Sequence, residues 1–350
     1  MRKLYSHASL FKTKLLLNCS QNEDSIKKAI KAVDMGLLMG NSFRDELTEA
    51  ATFLCKILQP NTNFIKDQIE IPKHLNDECI LGHFDKIMSI STSEQPSLET
   101  FYRDYLKLKI PVKITGAMSH WPAMKKWKDL NYIIKTAGCR TVPVEIGSSY
   151  ADEDWSQTLI TIEEFIKDKV INPNEKTTYL AQHQLFNQIP ELKEDIKVPD
   201  YCYLSEADDN EPDINAWFGP KGTISPTHYD PKNNFLAQVV GFKDIFLFDP
   251  KWTDCLYPYE EKLLKNTAQV DPSKPDLNTY PKFTEVEAIH CILSEALCIL
   301  EKFLNSLFYI FNDLMSGDCC WLLSLLDLLH SQCICCAWIT VLEIFGGHRY

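Results

Sequence analysis

The sequence has no excess of positive charge. Its 36 lysine and arginine residues are outnumbered by 48 acidic residues, which gives a formal net charge of -12. Proteins that bind nucleic acid over much of their surface carry the opposite balance, so direct nucleic-acid binding is not expected. Residues 1–40 are a local exception, with seven basic residues against three acidic ones.

The sequence also lacks a secretory signal and a zinc-binding pattern. Its start has neither the continuous apolar core nor the small-residue cleavage site of a signal peptide, so an intracellular protein is expected. The thirteen cysteines show no usual zinc spacing, since the pairs Cys319–Cys320 and Cys335–Cys336 are adjacent in sequence. In a reducing compartment these cysteines are predicted to be thiols.

A helical region is predicted over residues 1–60. The apolar positions Ile26, Ile30 and Val33 follow helical spacing and end at Gly40, a typical helix terminus. A second amphipathic helix follows, beginning near Ser42. The two form a predicted hairpin that either packs on the main domain or docks a partner. Residues 61–95 are interpreted as a linker.

Residues 96–295 are predicted to form the main domain, which is mainly β. Five short apolar segments, each bounded by glycine, proline or asparagine, indicate strands: "TYLAQHQLF", "INAWFG", "THYD", "NFLAQVVG" and "KDIFLFDP". Several short strands in this order favour a sandwich or a barrel. Inward-facing side chains of such a barrel line a ligand site at its mouth.

The stretch "GTISPTHYDPKNNF" over residues 222–235 contains a candidate metal-binding pair. His228 and Asp230 are two residues apart, so in an extended chain both side chains project from one face. An imidazole, a carboxylate and a second, distant histidine make the facial triad of non-haem Fe(II) oxygenases. The pair alone is weak, because histidine and acidic residues often occur at this spacing by chance.

The neighbouring polar residues strengthen this interpretation. Lys243 begins the next strand but one, from which its ammonium could reach into the barrel and bind a dicarboxylate. Ser225 and Asn234 flank the metal pair, and Tyr179 offers a phenol from an earlier strand. The alternatives are a solvated hairpin charge for Lys243 and turn chemistry for Ser225 and Asn234.

Four longer stretches resemble one known family: "WPAMKKW", "YLAQHQLFNQIPELKEDI", "INAWFGPKGTISPTHYDPKNNFLAQVVG" and "LYPYEEKLLKNTAQVDPSKPDLNTYPKF". The sequence from about 98 to 294 is similar to the Jumonji-C (JmjC) oxygenases of the lysine-specific demethylase eight type. The resemblance implies a double-stranded β-helix (cupin-like) fold. It also implies Fe(II) and 2-oxoglutarate as cofactors, with His228 and Asp230 as iron ligands.

The same resemblance implies the co-substrate contacts and the reaction. Lys243 and Tyr179 match the partners of the distal 2-oxoglutarate carboxylate, and Ser225 and Asn234 match further contacts. The expected reaction is oxidation of a side chain in a basic protein or peptide, such as a histone tail or an arginine-containing protein. A chromatin-regulating role in the nucleus, with the cytoplasm as a second location, comes with the family. The acidic stretch "SEADDNEPD" over 205–213 either attracts that substrate or is a solvated loop.

The chain departs from the family pattern after Glu295. The apolar, cysteine-rich tail over 296–350 lacks the proline, the aromatic pair and the distal histidine that the resemblance leads us to expect. Its leucine-rich runs favour helices, so the barrel is predicted to be incomplete at its carboxyl end. Three origins of the tail remain open: an alternative or misread carboxyl terminus, a weak membrane anchor over 319–342, or a helical replacement.

The third metal ligand is unassigned by sequence. His290, His330 and His348 are candidates, but none of them matches the family position. Two candidate functions follow, one an enzyme and the other a binding module. One is an Fe(II)- and 2-oxoglutarate-dependent protein oxygenase that is weakly active or inactive in this chain, and the other is a catalytically inactive binding module derived from it.

Overall fold

The computed structural model describes residues 1–58, 84, 86–147, 150, 154–172, 176–204, 212–230, 233–262, 264–301, 307–311 and 319–326. Glu301 and the last two ranges are described by their backbone. Within these ranges, no helix combines the length and the apolar character that crossing a membrane needs. Most of the segment considered as an anchor, 327–342, lies outside the described residues.

Three consecutive helices form the amino-terminal region: α1 (Arg2–Cys19), α2 (Glu23–Met39) and α3 (Arg44–Leu58). Helix α2 begins at Glu23, because the side chain of Asn22 accepts a hydrogen bond from the backbone N–H of Ser25 and caps the helix. Ile30, Val33 and Leu47 are buried between the helices. The predicted hairpin is therefore present as α2 and α3, and α1 adds a helix that the sequence analysis did not predict.

Helix α1 lies unusually close to α2. A Cβ atom added at Gly36 would lie 2.8 Å from the Cβ of Ser9, and one added at Gly40 would overlap the hydroxyl of Ser6. The two glycines are one helical turn apart, so they leave a shallow groove for small side chains. Ser6 and Ser9 occupy it, and both of them, like Thr13, are buried. The face that α1 turns towards α2 therefore combines small polar residues with three leucines that pack on the apolar cluster between the helices, Leu10, Leu16 and Leu17.

In the described residues of the main domain, fourteen strands divide into two sheets. Their bounds are β1 (Ile87–Ser89), β2 (Ser91–Glu94), β3 (Val112–Thr115), β4 (Thr141–Ile146), β5 (Ser156–Thr161), β6 (Thr178–His183), β7 (Asp213–Pro220), β8 (Ile224–His228), β9 (Asn234–Val240), β10 (Lys243–Phe248), β11 (Ala288–Leu293), β12 (Leu297–Glu301), β13 (Leu307–Phe311) and β14 (Cys319–Leu326). The five-stranded sheet has the order β1-β11-β10-β13-β8. The nine-stranded sheet has the order β2-β3-β12-β9-β14-β7-β6-β4-β5.

The two sheets face each other across a shared apolar cluster. Leu236 and Ile299 of the nine-stranded sheet are buried together with Ile245, Leu247 and Leu293 of the five-stranded sheet. The opposite face of the nine-stranded sheet is covered by short helices, through the larger cluster that includes Phe218 and Phe235. The expected mainly β, cupin-like domain with an amino-terminal helical region is confirmed, with its strands in two sheets rather than one closed ring.

The helices of this domain are short: α4 (Leu98–Phe101), α5 (Ala123–Lys126), α6 (Leu130–Ala137), α7 (Ile162–Phe165), α8 (Leu185–Gln188) and α9 (Pro190–Lys193). Helices α4 and α7 continue as π-helical turns over Tyr102–Leu106 and Ile166–Ile171, and 3₁₀ turns span Asp200–Tyr203, Pro250–Cys255 and Pro281–Glu285. Thr161 and Glu164 form the reciprocal hydrogen bonds of a capping box.

The prediction of helices after residue 295 is wrong for the residues that the structure describes there. β12 pairs between β3 and β9, β13 between β10 and β8, and β14 between β9 and β7. A continuous apolar run fits a buried strand as well as a buried helix, so periodicity could not distinguish them. The neighbouring strand edges decide the outcome, because buried N–H and C=O groups need hydrogen-bond partners.

The predicted linker over 61–95 is also too long. Residues 59–83 and 85 lie outside the described part, but β1 and β2 fall within the predicted linker range. β1 pairs in parallel with β11, and β2 pairs in parallel with β3. Each sheet therefore gains an edge strand from a segment whose polar, short pattern gave no strand signal.

A buried ion pair joins the amino-terminal helices to the β domain. Asp34 of α2 and Arg140, which precedes β4, are 0% and 1% exposed, and Arg140 Nη2 donates to Asp34 Oδ1 over 2.7 Å. The same carboxylate accepts from the backbone N–H of Thr141 at 2.7 Å and from the side-chain amide of Gln188 at 2.8 Å. Such a pair is stable only when its remaining acceptors are satisfied, as they are here.

His183 extends this network. Gln188 donates its amide to Asp34, so its oxygen accepts a hydrogen bond from His183 Nε2, 2.7 Å away. Burial lowers the pKa of His183 to about 4, which keeps the ring neutral at pH 7. The helical region is thus attached to the end of β6 as well as to β4.

We expect Asp34→Ala to lower the free energy of unfolding by about 3–5 kcal/mol, because it leaves the Arg140 guanidinium buried without its carboxylate. The matched control is Asp24→Ala on the same helix, where the pair with Lys28 is 69% and 61% exposed. That change should cost less than about 1 kcal/mol. Denaturant unfolding of the three proteins measures both values, and similar losses for the two variants would contradict the assignment.

Candidate active site

A buried hydrogen bond connects the two sheets at the candidate site. Lys243 is the first residue of β10 and is 1% exposed, and Tyr179 on β6 is 4% exposed. The ammonium Nζ of Lys243 donates to the phenol oxygen of Tyr179 over 2.8 Å. The solvated hairpin charge considered for Lys243 is therefore not what the structure contains. The two side chains meet in the space between the sheets.

The strand register brings His228 to the same face as Lys243. Leu247 lies opposite Phe308, and Phe308 lies opposite His228. Positions directly opposite one another in neighbouring strands share a face, and every second residue along β10 does so as well. His228 and Lys243 therefore both belong to the inner face of the five-stranded sheet.

A bulge in β8 brings Ser225 to this face as well. Ser225 lies opposite Ile310 and His228 lies opposite Phe308, so three steps along β8 match two steps along β13. Simple alternation would place Ser225 and His228 on opposite faces of the strand. The extra residue of the bulge shifts the alternation by one, so Ser225 and His228 share a face. Bulges near functional sites often redirect a side chain in this way.

The metal-binding candidates and the co-substrate candidates are adjacent. Asn234 begins β9, is 4% exposed and directs its amide towards Asp230 Oδ2 over 3.4 Å. His228 Nδ1 lies 2.6 Å from the carbonyl oxygen of Pro226, a contact that requires the proton on Nδ1. That tautomer places the lone pair of the ring on Nε2, the atom that a metal would use.

One side of the site is formed by residues that the sequence analysis did not select. The ring of Tyr150 lies 6.3 Å from that of His228, nearly perpendicular to it, and its hydroxyl lies 3.2 Å from the hydroxyl of Thr267. The backbones of Thr267 and His228 form an isolated antiparallel β-bridge. The backbone N–H of Tyr229 donates to the carbonyl oxygen of Asn266 at 3.0 Å. No local motif marks this contact, because it joins segments more than thirty residues apart.

Gly219 is needed for the position of Tyr179. A Cβ atom at this glycine would lie 2.7 Å from Cδ2 of the Tyr179 ring and 2.8 Å from Cγ2 of Thr223. Any larger residue would have to displace the ring that contacts Lys243. A glycine within a strand marks a close approach of this kind.

Glu145 is a further site residue missed from sequence. It lies directly opposite Tyr179 in the β4–β6 pair, so both belong to one face of the nine-stranded sheet. Burial raises the pKa of Glu145 from 4.5 to about 7. The available signal was a single glutamate within the otherwise apolar strand "TVPVEI". A carboxyl group of this kind is a candidate receptor for a cationic side chain.

His290 does not complete the metal site. It lies opposite Phe246 on β10 and contacts Asp244, and even-numbered positions of this strand face away from Lys243. His330 and His348 lie outside the described residues. Across the residues that the structure does describe, no group of three histidine, cysteine or acidic side chains is placed to hold a metal ion.

Comparison with known proteins identifies the family. Residues 97–300 match the model of the cupin-like domain. Lysine-specific demethylase 8 of Danio rerio is 44% identical over 303 residues, which cover 83% of this chain and 73% of that protein. The chain belongs to the JmjC family of cupin-like proteins. The earlier resemblance is thereby confirmed.

Other JmjC relatives differ in their named activities. Lysine-specific demethylase JMJ30 of Arabidopsis thaliana is 38% identical over 320 residues, which cover 84% of this chain and 73% of that protein. Bifunctional peptidase and (3S)-lysyl hydroxylase JMJD7 of Homo sapiens is 27% identical over 226 residues, 55% of this chain and 70% of that protein. Both demethylation and hydroxylation thus occur among relatives of this chain.

The JmjC family generally depends on Fe(II) and 2-oxoglutarate, and the side chains present fit these two groups unequally. A buried ammonium, a phenol and a buried amide suit a dicarboxylate. An imidazole and a carboxylate suit Fe(II) but supply two of the three protein ligands of a facial triad. The described donor set therefore fits the co-substrate and fits the metal in part.

We expect Glu145→Gln to change the pH dependence of stability. Between pH 4.5 and about 7 the folded protein holds a proton on Glu145 that the unfolded chain has released. The free energy of unfolding therefore falls as pH rises through this window. The glutamine variant should gain on the order of 2 kcal/mol relative to the parent between pH 5 and pH 8, measured by denaturant titration at each pH.

Glu287→Gln is the control for this measurement. The ion pair with Lys86 lowers the pKa of Glu287, so its contribution is present above the unfolded pKa and is lost as pH falls. The two variants should therefore shift the stability curve in opposite senses. Parallel curves for Glu145→Gln and the parent protein would show that Glu145 is ionised like a surface carboxylate.

Proposed function

We propose that this protein binds 2-oxoglutarate and is a protein oxygenase of the JmjC type that acts on basic protein segments with low turnover. The observation that carries the proposal is the buried contact between Lys243 and Tyr179. Burying an ammonium is costly unless hydrogen bonds and negative charge compensate for its lost hydration. A dicarboxylate suits this site, because the ammonium and the phenol can both donate hydrogen bonds to carboxylate oxygens.

His228 and Asp230 are the proposed iron ligands, and Lys243, Tyr179, Ser225 and Asn234 are the proposed co-substrate contacts. Bound iron and 2-oxoglutarate supply the oxidising chemistry in this family. The chain's own side chains position these groups: Lys243 and Tyr179 bind a carboxylate, and Pro226 holds the His228 tautomer. The flanking apolar cluster excludes water from the inner face.

The proposed substrate is a lysine or arginine side chain in a basic peptide. Glu145 shares the face of Tyr179, and burial holds its pKa at about 7. An approaching cation would lower that pKa and keep the carboxylate ionised, which offsets the cost of burying both groups. Most of the acidic stretch expected to attract the substrate, 205–211, lies outside the described residues. Named demethylase and hydroxylase relatives support a protein substrate, and we extend this to a nuclear, chromatin-associated role.

A catalytically inactive binding module is the second candidate. β13 lies beside β8 and places Phe308 opposite His228. Its sequence, "LFYIF", contains neither a histidine nor a carboxylate. The strand nearest to the metal pair therefore provides no third ligand of the usual type. In this case the protein would bind the co-substrate or a basic peptide without turnover.

We expect Lys243→Met to weaken 2-oxoglutarate binding at least tenfold, because a hydrogen bond to a charged group contributes about 1.5–3 kcal/mol. Tyr179→Phe, which keeps the ring but removes the phenol, should weaken binding less. The control is Lys251→Met, whose ammonium is half-exposed and stacks on Trp252. Isothermal titration calorimetry with 2-oxoglutarate measures the affinity of the parent protein and of the three variants. Equal affinities for the parent and Lys243→Met would show that 2-oxoglutarate does not bind at Lys243.

Turnover separates the two candidate functions. The comparison protein is a chimera that carries the carboxyl-terminal segment of the Danio rerio relative after Glu295. With added Fe(II) and ascorbate, we expect this protein to decarboxylate 2-oxoglutarate about a hundredfold more slowly than the chimera does. A missing ligand weakens metal affinity and also leaves the coordination geometry less well fixed. Undetectable turnover with retained co-substrate binding would favour the binding module. Turnover equal to that of the chimera would contradict impairment, and alanine variants of His330 and His348 would then identify the substitute ligand.

A further inference from the structure

Helix α1 packs on the apolar cluster of α2 and α3 through one face and presents a second apolar face outwards. Ser9 lies against Gly36 of α2, and Ser6 lies against Gly40, the residue that ends this helix. Thr13 donates its hydroxyl to the carbonyl of Ser9 at 2.8 Å, and the hydroxyl of Ser6 accepts from the backbone N–H of Ser42 at 3.2 Å. The contacts of Ser6 and Ser9 determine which face of α1 meets α2.

The opposite face of α1 carries a stripe of exposed apolar residues. Leu4 is 73% exposed, Phe11 is 64% exposed and Leu15 is 47% exposed, and Ala8 between them is exposed as well. At about 100° per residue, these four positions fall within about 60° of the helix circumference. We call Leu4, Ala8, Phe11 and Leu15 the α1 stripe.

The spacing of the α1 stripe is that of a helix-pairing surface. Its members are separated by four, three and four residues, which is the a and d pattern of a heptad. A strict a and d stripe is the narrow seam typical of paired helices, whereas a helix that packs on a protein core shows an apolar stripe of about 100° or more. The geometry therefore favours a second helix as the partner.

The charges beside the α1 stripe are all of one sign. Lys12 flanks one side and Lys3 and Lys14 flank the other, and all three are exposed. Together with Arg2 they are the charged residues of α1, which contains no aspartate or glutamate. In paired helices the flanking charges select the partner. A second copy of α1 would oppose lysine with lysine.

We propose that the α1 stripe is a docking surface for an acidic amphipathic helix of another protein. The partner helix carries leucine-like residues at heptad spacing and glutamate or aspartate on both sides of them. The apolar residues supply affinity, and the lysines supply selectivity. This surface lies on the amino-terminal helices, so it does not depend on turnover at the JmjC site.

The test uses two synthetic peptides of about three heptads, both with leucine at positions a and d. One has glutamate at the flanking positions and the other has lysine, and like charges keep each peptide monomeric. Fluorescence anisotropy with the full chain should show binding of the glutamate peptide at least about tenfold tighter than that of the lysine peptide. Its affinity should fall as salt rises from about 50 to about 500 mM.

Phe11→Ser and Phe53→Ser form a matched pair of variants. Both phenylalanines are 64% exposed, but Phe53 lies on α3, away from the α1 stripe. Phe11→Ser should weaken binding of the glutamate peptide about tenfold or more, and Phe53→Ser should leave it unchanged. Because both side chains are exposed, far-UV circular dichroism should be the same for both variants.

Charge reversal tests the selectivity directly. A variant with Lys3→Glu, Lys12→Glu and Lys14→Glu should prefer the lysine peptide over the glutamate peptide. Equal binding of the two peptides by the parent protein would overturn the charge argument. Concentration-dependent dimers that Phe11→Ser abolishes would assign the surface to a second copy. Binding to phosphatidylserine vesicles without binding to either peptide would assign it to lipid, and each of these results would reject the proposal.

Discussion

The hydrogen bond between Lys243 and Tyr179 is the contact on which the candidate site depends. It joins the five-stranded sheet to the nine-stranded sheet on the inner faces, which also carry the apolar cluster between the two sheets. A buried ammonium constrains its surroundings, because every neighbouring group must compensate for its lost hydration. Gly219 belongs to this constraint, since any side chain there would displace the tyrosine ring. The polar residues of the inner face are thus held by packing from both sheets.

The carboxyl-terminal strands illustrate the difference between forming a sheet and forming a metal site. β12, β13 and β14 each lie between two other strands, so the described residues beyond Glu295 are part of both sheets. Backbone pairing accepts almost any apolar segment, because it uses groups that all residues share. Metal coordination needs particular side chains at particular positions. β13 thus pairs with β8 beside His228, although its sequence, "LFYIF", contains neither a histidine nor a carboxylate.

The amino-terminal helices and the β domain are joined by a polar contact. Asp34 and Arg140 are fully buried and share their hydrogen bonds with Thr141 and Gln188. Each donor in this hydrogen-bond network must lie opposite its acceptor at the right distance and angle. The network therefore allows fewer relative positions of the helices and the β domain than apolar packing would. The orientation of α2 follows from it, and the glycines of α2 in turn orient α1. One consequence is that apolar residues of α1 remain on the surface.

Sequence alone determined the mainly β domain, the strands from β6 to β10 and the family, because turn residues, apolar runs and the "THYD" motif are local signals. It also selected His228, Asp230, Lys243 and Tyr179, of which the structure brings Lys243 and Tyr179 into contact; their roles stay predictions. Only the tertiary structure decided that the described parts of the apolar tail form strands. Pairing with the open edges of neighbouring strands, and not the local secondary-structure propensity of the tail, determines this conformation. The tertiary structure alone decided that Ser225 shares the face of His228, through a bulge, and that Glu145 and Tyr150 border the site. Those positions result from pairing between distant segments, and no local pattern records that pairing.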